Sequence, residues 1–309
     1  MNVKSYIKSF GLKIFLVKAI RKPFYNNYSY LSKKLSLYNE KVIKEFLYKN
    51  VIQDLKKVKS QSIQPINKYI KKNSVIWTMW WQGLNDAPSI VKACIRELRK
   101  NNPTRDVIVI TKENYQKYVH VDSKIITNLN NGSISITHFS DVYRVNLLYI
   151  YGGVWVDSTI LSTKTISDNI FNKDFFTIKT GKYTNDPSHG RWTTFFLESK
   201  AGNELMNFLR LSFDLYSNKY NLFIDYILFD YLINIAYENS RKIMQEIKNV
   251  PKNNENVFKL TSFLNTDISQ VQPILTSSNT YMYKLTYKMN FIDSPNTLYN
   301  QIISGREFK

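Results

Sequence analysis

Between Ser74 and Thr111 the chain alternates in a way that few architectures accommodate. SVIWTMWWQG is an aromatic and β-branched run that ends at Gly83, the pattern of a buried strand. Pro88 to Asn101 follows with amphipathic helical spacing, Pro88 suiting a first turn and Asn101-Asn102-Pro103 a stop. Asp106 to Thr111, DVIVIT, is a second short apolar strand. Strand, helix and strand at this spacing predict a βαβ unit, hence a parallel sheet with a right-handed crossover. Open sheets of this kind bind ligands beyond the carboxyl ends of their strands. Trp80 and Trp81 stand where the first strand ends, placed either to stack on a bound base or to fill the core.

The run SDVYRVNLLYIYGGVWVDST, Ser140 to Thr159, carries the chemistry. Thr137 to Tyr151 has Val142, Val145, Leu148 and Tyr149 on one helical face, with Asp141 and Arg144 one turn apart near its start. Gly152-Gly153 stops the helix, and VWVD then reads as a strand whose last residue is Asp157. If the helix brings its first turn to the edge that the strand reaches with its end, Asp141, Arg144 and Asp157 converge on one pocket. A sugar diphosphate needs its phosphates neutralised, hard oxygen ligands for a divalent cation, and partners for sugar hydroxyls. Arg144 offers a fixed fork to phosphate or to Asp141. The plainer reading of the same pair is a surface i,i+3 ion pair worth ~0.2 to 0.5 kcal/mol.

With 309 residues, 43% hydrophobic and 15% aromatic, the chain can bury one large domain or a domain with an appendage. Lys and Arg total 43 against 24 Asp and Glu, a formal charge of +19 concentrated in Met1 to Lys72. Anionic lipid and a phosphorylated substrate are the expected partners; nucleic acid is not, because no recognition signature accompanies the basic residues. Apolar residues at three- and four-residue steps from Val3 to Ile70 predict two or three helices broken near Pro23. The expected division is 1–72, a basic helical N-terminal region, and 73–309, the main domain. The first is read either as an amphipathic surface resting on anionic phospholipid or as a solvated helical face packed on the main domain.

Ile14 to Ile20 is too short and too charged to span a bilayer, and no cleavage site for a secretory signal follows it. A sole cysteine, Cys94, suits a reducing compartment, so the expected location is cytoplasmic. His120, His138 and His189 form no recognisable zinc pattern, and neither a GxSxG nor a Walker string is present. Asp225 lies within the apolar run LFIDYILFDYLI, read as helix over Leu222 to Tyr237, where an acid is costly unless it works or is paired. It is a candidate for the catalytic side facing an acceptor.

SDVYRVNLLYIYGGVWVDST is similar to the signature of glycosyltransferase family 32 and its capsular polysaccharide synthesis relatives, and WTMWWQGLNDAPSIVKACIRELRKNNP resembles the same family's opening segment. The two matches span Ser74 to Thr163, with weaker similarity at HGRWTTFFLESKAGN, His189 to Asn203, and YKLTYK, Tyr283 to Lys288. The resemblance implies a GT-A-like, Rossmann-like α/β fold with a mixed, mainly parallel sheet flanked by helices. It further implies a nucleotide-sugar donor, a divalent cation (Mn²⁺ or Mg²⁺) and transfer with retention.

Residue by residue, Asp141 and Arg144 fall where that family contacts the donor sugar, Gly152 and Gly153 where the backbone turns, and Asp157 on the first Asp of its DxD motif. The motif here is Asp157-Ser158-Thr159, so Thr159 removes one negative charge and leaves the metal requirement open. His189, Asp186 or the C-terminal segment would have to supply another ligand. Lys284 stands where relatives often carry His-Lys, here Tyr283-Lys284; it reaches the diphosphate or is a solvated lysine. The expected activity is transfer of a hexose, from UDP-Gal, UDP-Glc or a UDP-N-acetylhexosamine, to a lipid-linked saccharide at the inner membrane face in capsular or exopolysaccharide synthesis. A toxin-like protein glycosyltransferase and a non-catalytic nucleotide-sugar or lipid-binding protein are the alternatives.

Overall fold

The structure, a computed structural model, describes residues 3–24, 27–55, 57–58, 63–276 and 279–306. The first helices are α1 (Val3–Phe10), α2 (Leu12–Arg21), α3 (Tyr30–Leu47) and the one-turn α4 (Gln53–Leu55). Next come β1 (Ile76–Met79), α5 (Ser89–Asn101), β2 (Val107–Ile110), α6 (Ser123–Asn130), α7 (Ile136–Tyr151), β3 (Gly153–Val156) and β4 (Ile160–Ser162). They are followed by α8 (Asp168–Phe171), β5 (Phe175–Thr177), β6 (Phe196–Ser199), α9 (Glu204–Lys219), α10 (Leu228–Asn239) and α11 (Arg241–Asn249). The last elements are α12 (Ile268–Thr276), β7 (Met282–Lys284) and α13 (Leu298–Ser304).

Five strands form one sheet in the order β2-β1-β3-β6-β5. β1 runs parallel to β2 and β3, whereas β6 runs antiparallel to both of its neighbours. The strand–helix–strand unit read from Ser74 to Thr111 is therefore present, and the sheet is mixed and mainly parallel. α7 packs on β3 and β6, and α9 covers α7. A separate two-stranded sheet pairs β4 with β7, setting Ile160 opposite Lys284. That pairing ties a C-terminal segment to the residues just past β3.

The junction of α7 and β3 shows why two glycines stand together. Gly152 and Gly153 have φ of 66° and 91°, backbone conformations that L side chains rarely adopt. A Cβ on Gly153 would lie 2.3 Å from the Val75 carbonyl oxygen, and one on Gly152 2.0 Å from Asn73 Oδ1. The glycines thus let β3 leave the helix and lie directly against the chain entering β1. At its other end α7 is capped by Ser135, whose side chain accepts from the His138 amide.

The N-terminal helices contribute to the same core as the sheet. Tyr6, Phe10, Ile14, Val42, Ile43 and Leu47 are buried with Trp77, Tyr143, Tyr151 and Trp155 in one cluster. Tyr6 Oη donates to the Ile224 carbonyl at 2.6 Å, and Lys18 pairs with Asp225 at 3.0 Å.

Two expectations about helix extent are corrected. The helical reading to Ile70 overshoots: residues 63–75 are irregular, with Pro65 in the stretch and Asn73 at a φ of 58°. The helix placed over Leu222 to Tyr237 starts only at Leu228. Tyr216 Oη donates to the Leu222 carbonyl and accepts from the Ile224 amide, so side chains satisfy this backbone outside a helix.

Candidate functional site

A cavity of about 490 Å³ opens past the carboxyl ends of β1 and β3. Trp80, Trp81 and Gln82 line it from the end of β1, and Asp157, Ser158 and Thr159 from the end of β3. Ser140 and Arg144 come from the first turns of α7, and Lys284 through Lys288 from the end of β7 onward.

Asp157 is the hub. Its Oδ1 accepts from Trp155 Nε1 at 2.9 Å and lies 3.6 Å from the Arg144 guanidinium; its Oδ2 accepts from Lys284 Nζ at 2.7 Å. Burial by itself would push this carboxyl up, but the Lys284 and Arg144 charges and the two hydrogen bonds outweigh it and hold Asp157 below the usual carboxylate range. Asp157 is therefore an anion at neutral pH.

Arg144 is nearly inaccessible, its side chain 4% exposed. It sits 3.0 Å from Asp141, donates to Ser140 and to the Thr194 carbonyl, and lies 4.8 Å over the Trp155 ring. So many fixed partners hold the guanidinium in one orientation. Asp141 sits behind it: burial pushes its carboxyl up to about 7, Arg144 opposing and the Asp157 charge adding. The pair is thus no solvated surface ion pair, because both members are buried.

Trp80 and Trp81 line the cavity and are only partly buried, each packing against neighbouring rings. Trp81 meets Tyr115 and Phe139 at ring distances of 5.1 and 4.8 Å, and Trp80 meets Tyr287 edge-on at 5.4 Å. The Trp80 Nε1–H is buried without a hydrogen-bond partner in the structure. Gly152 and Gly153 act through the backbone turn and do not line the cavity.

Two residues expected at the site are placed elsewhere. Asp225 is in the loop before α10, paired with Lys18; its neighbour Tyr226 lines the cavity. His189 lines a different cavity beside α3, where its Nε2 lies 3.0 Å from Glu40 and its ring stacks on Tyr183. It lends Asp157 no ligand, nor does Asp186, whose carboxylate accepts from the Ser188 amide. Sequence reasoning also passed over Asp230, the second acid of LFIDYILFDYLI. It accepts from Trp192 Nε1 at 2.9 Å, and burial, with Asp186 and Asp141 adding, pushes it up to about 8. The apolar residues on both sides of Asp230 were the available signal.

The donor set can be tested against the expected cation. Among the described residues no group of three or more His, Cys, Asp or Glu is arranged to hold a metal ion. Asp157 is the one carboxylate lining this cavity among them, and both of its oxygens are engaged by cations and an indole N–H. Hard divalent cations take several oxygen ligands. Ser158 and Thr159 hydroxyls beside an already paired carboxylate do not fit a resident one. What the lining does offer is excess positive charge, Arg144, Lys284 and Lys288 against Asp157.

Fold and site together define an α/β protein with a cationic, tryptophan-walled cavity at the carboxyl edge of a mainly parallel sheet. A family model described as capsular polysaccharide synthesis protein matches residues 23–302, and the chain belongs to that family. No curated protein matches the chain. Among solved structures, one titled "PaToxG Glycosyltransferase" is 14% identical, with a TM-score of 0.36 over 72% of this chain and 88% of that one. Among the described residues no helix is long and apolar enough to cross a membrane.

Proposed function

We propose that the cavity binds a nucleotide sugar and that the protein is a retaining glycosyltransferase of capsule synthesis. The donor is a UDP-hexose or UDP-N-acetylhexosamine, and the acceptor a lipid-linked saccharide. The observation that carries the reading is the convergence of Asp157, Arg144 and Lys284 beside two tryptophans at the sheet edge. Cations at that edge suit a diphosphate, and indole faces suit a base.

In this reading the bond from the anomeric carbon to the diphosphate oxygen breaks with its electron pair leaving on the nucleotide. The acceptor hydroxyl oxygen forms the new bond from the same face, and its proton passes to the departing phosphate. Lys284 and Arg144 stabilise the negative charge that grows on the leaving group, and being already oriented they reorganise little as it develops. The Asp141–Arg144 pair keeps the guanidinium fixed.

The acceptor's lipid anchor fits the basic N-terminal helices. Leu12, Leu16 and Ile20 repeat every fourth residue of α2 and are about half exposed, with Lys13 and Lys22 exposed nearby. Such a stripe with flanking cations suits an anionic phospholipid surface.

The test is a screen of nucleotide sugars by thermal shift, followed by nucleotide release with and without saccharide acceptors. A ligand bound to the folded state raises its melting temperature. One donor is expected to stabilise the protein and to be consumed. If no nucleotide sugar binds, the reading is wrong; binding without turnover under any acceptor leaves a binding protein instead.

A further inference from the structure

We infer that this donor site works without a divalent cation, the Lys284 ammonium taking the place beside Asp157 that a cation would occupy. The inference rests on the reading of the cavity as a nucleotide-sugar site and concerns how that site neutralises the diphosphate.

Three observations carry it. The first is geometric: Lys284 Nζ lies 2.7 Å from Asp157 Oδ2, so the carboxylate oxygen that a cation would coordinate already holds a charge-assisted hydrogen bond. The second is the scarcity of acids. Thr159 supplies a hydroxyl where a second carboxylate would be needed, and Asp157 is the one lining carboxylate among the described residues. The third is positional. Lys284 is no loosely placed surface lysine: it ends β7, opposite Ile160 of β4, and β4 begins three residues after Asp157. The Leu285 amide donates to the Thr159 carbonyl at 2.9 Å, closing the same link one step further on. The sheet pairing thus holds the ammonium against the acid.

Charge bookkeeping agrees. Arg144, Lys284 and Lys288 against Asp157 give the cavity lining an excess of positive charge, which Asp141 paired behind Arg144 reduces but does not reverse, and which is opposite in sign to a nucleoside diphosphate. A cation brought in by the nucleotide would meet Lys284 at the one carboxylate able to ligate it, and like charges that close repel. A metal-bound diphosphate is therefore the poorer ligand here, which inverts the usual order for an acid-rich site.

The experiment uses the full chain and calorimetric titration of UDP and GDP, at constant ionic strength, in EDTA and again in excess Mn²⁺. Affinity in EDTA is expected to equal or exceed that in Mn²⁺. Lys284→Ala is expected to weaken binding in EDTA by about tenfold or more and to regain part of it with Mn²⁺, because Asp157 is then free to ligate. Lys284→Arg should keep metal-free binding. Binding by the unmodified chain that needs Mn²⁺ overturns the inference while the nucleotide-sugar reading stands. Absence of binding in both buffers overturns both. The comparison on the unmodified chain decides the matter even where a variant does not fold.

Discussion

Lys284 Nζ and Asp157 Oδ2 lie 2.7 Å apart although 127 residues separate them in the chain. Both side chains are about one-quarter exposed, 27% and 26%, so solvent screens the pair and its share of fold stability is small. Its weight falls on function. Lys284→Ala is expected to lower the rate of nucleotide release by about 100-fold, the scale of losing one preoriented charge-stabilising donor. The melting temperature should move by only a few degrees. A variant with near-normal turnover would remove Lys284 from the reaction.

Most of the architecture could be read locally. α5 and α7 carry helical spacing between strong punctuators, Pro88 before one and Gly152 after the other, and β1 and β3 are short apolar runs. Asp141, Arg144 and Asp157 fall within 17 consecutive residues, so their convergence follows from one helix, one turn and one strand. The contact from β7 was not legible in that way, because it depends on a pairing across the length of the chain. The antiparallel direction of β6 was not legible either, because nothing in its own short run says which neighbour it pairs with. Asp225 and Asp230 show the limit most sharply: they lie five residues apart in one apolar run, and the start of α10 at Leu228 leaves the first in the preceding loop beside Lys18 and sets the second in the helix's first turn against Trp192 Nε1.

Gly153→Ala tests whether the glycine pair is structural. Gly153 has a φ of 91°, and a Cβ there would stand 2.3 Å from the Val75 carbonyl oxygen. A flexible side chain could yield, but the Val75 backbone, which leads into β1 and accepts from the Val154 amide, cannot without disturbing the sheet. Destabilisation of about 2 kcal/mol or more is expected from urea unfolding. A loss under about 0.5 kcal/mol would show that the β1–β3 junction is loose.

Glu198 gives a pH signature away from the cavity. It is fully buried on β6, neither carboxylate oxygen has a hydrogen-bond partner in the structure, and burial raises its carboxyl to about 9 from an ordinary 4.5. A carboxyl raised on folding binds a proton more tightly in the folded state, so its relative contribution is fullest below 4.5 and is lost as pH rises towards 9. Urea midpoints across that window should show the unmodified chain losing stability relative to Glu198→Gln, at on the order of 1 kcal/mol per pH unit. A difference independent of pH would mean that Glu198 is ionised in the folded protein.

The N-terminal helices present two faces with separable consequences. Phe10 is 4% exposed and packs against Phe46 and Tyr220 at ring distances of 5.7 and 5.4 Å. Leu16 belongs to the outward stripe of α2 and is 47% exposed. Phe10→Ala should therefore cost about 3 kcal/mol, as for other buried aromatics, and lower the melting temperature by several degrees. Leu16→Asp should leave the melting temperature nearly unchanged. Sedimentation with anionic liposomes is expected to show the reverse order: Leu16→Asp reduces binding by adding a negative charge and removing an apolar contact, while folded Phe10→Ala binds normally. The bound fraction should also fall as salt is raised, since the exposed lysines act through a screened field. If Leu16→Asp sediments like the unmodified chain at low salt, the stripe on α2 does not meet lipid.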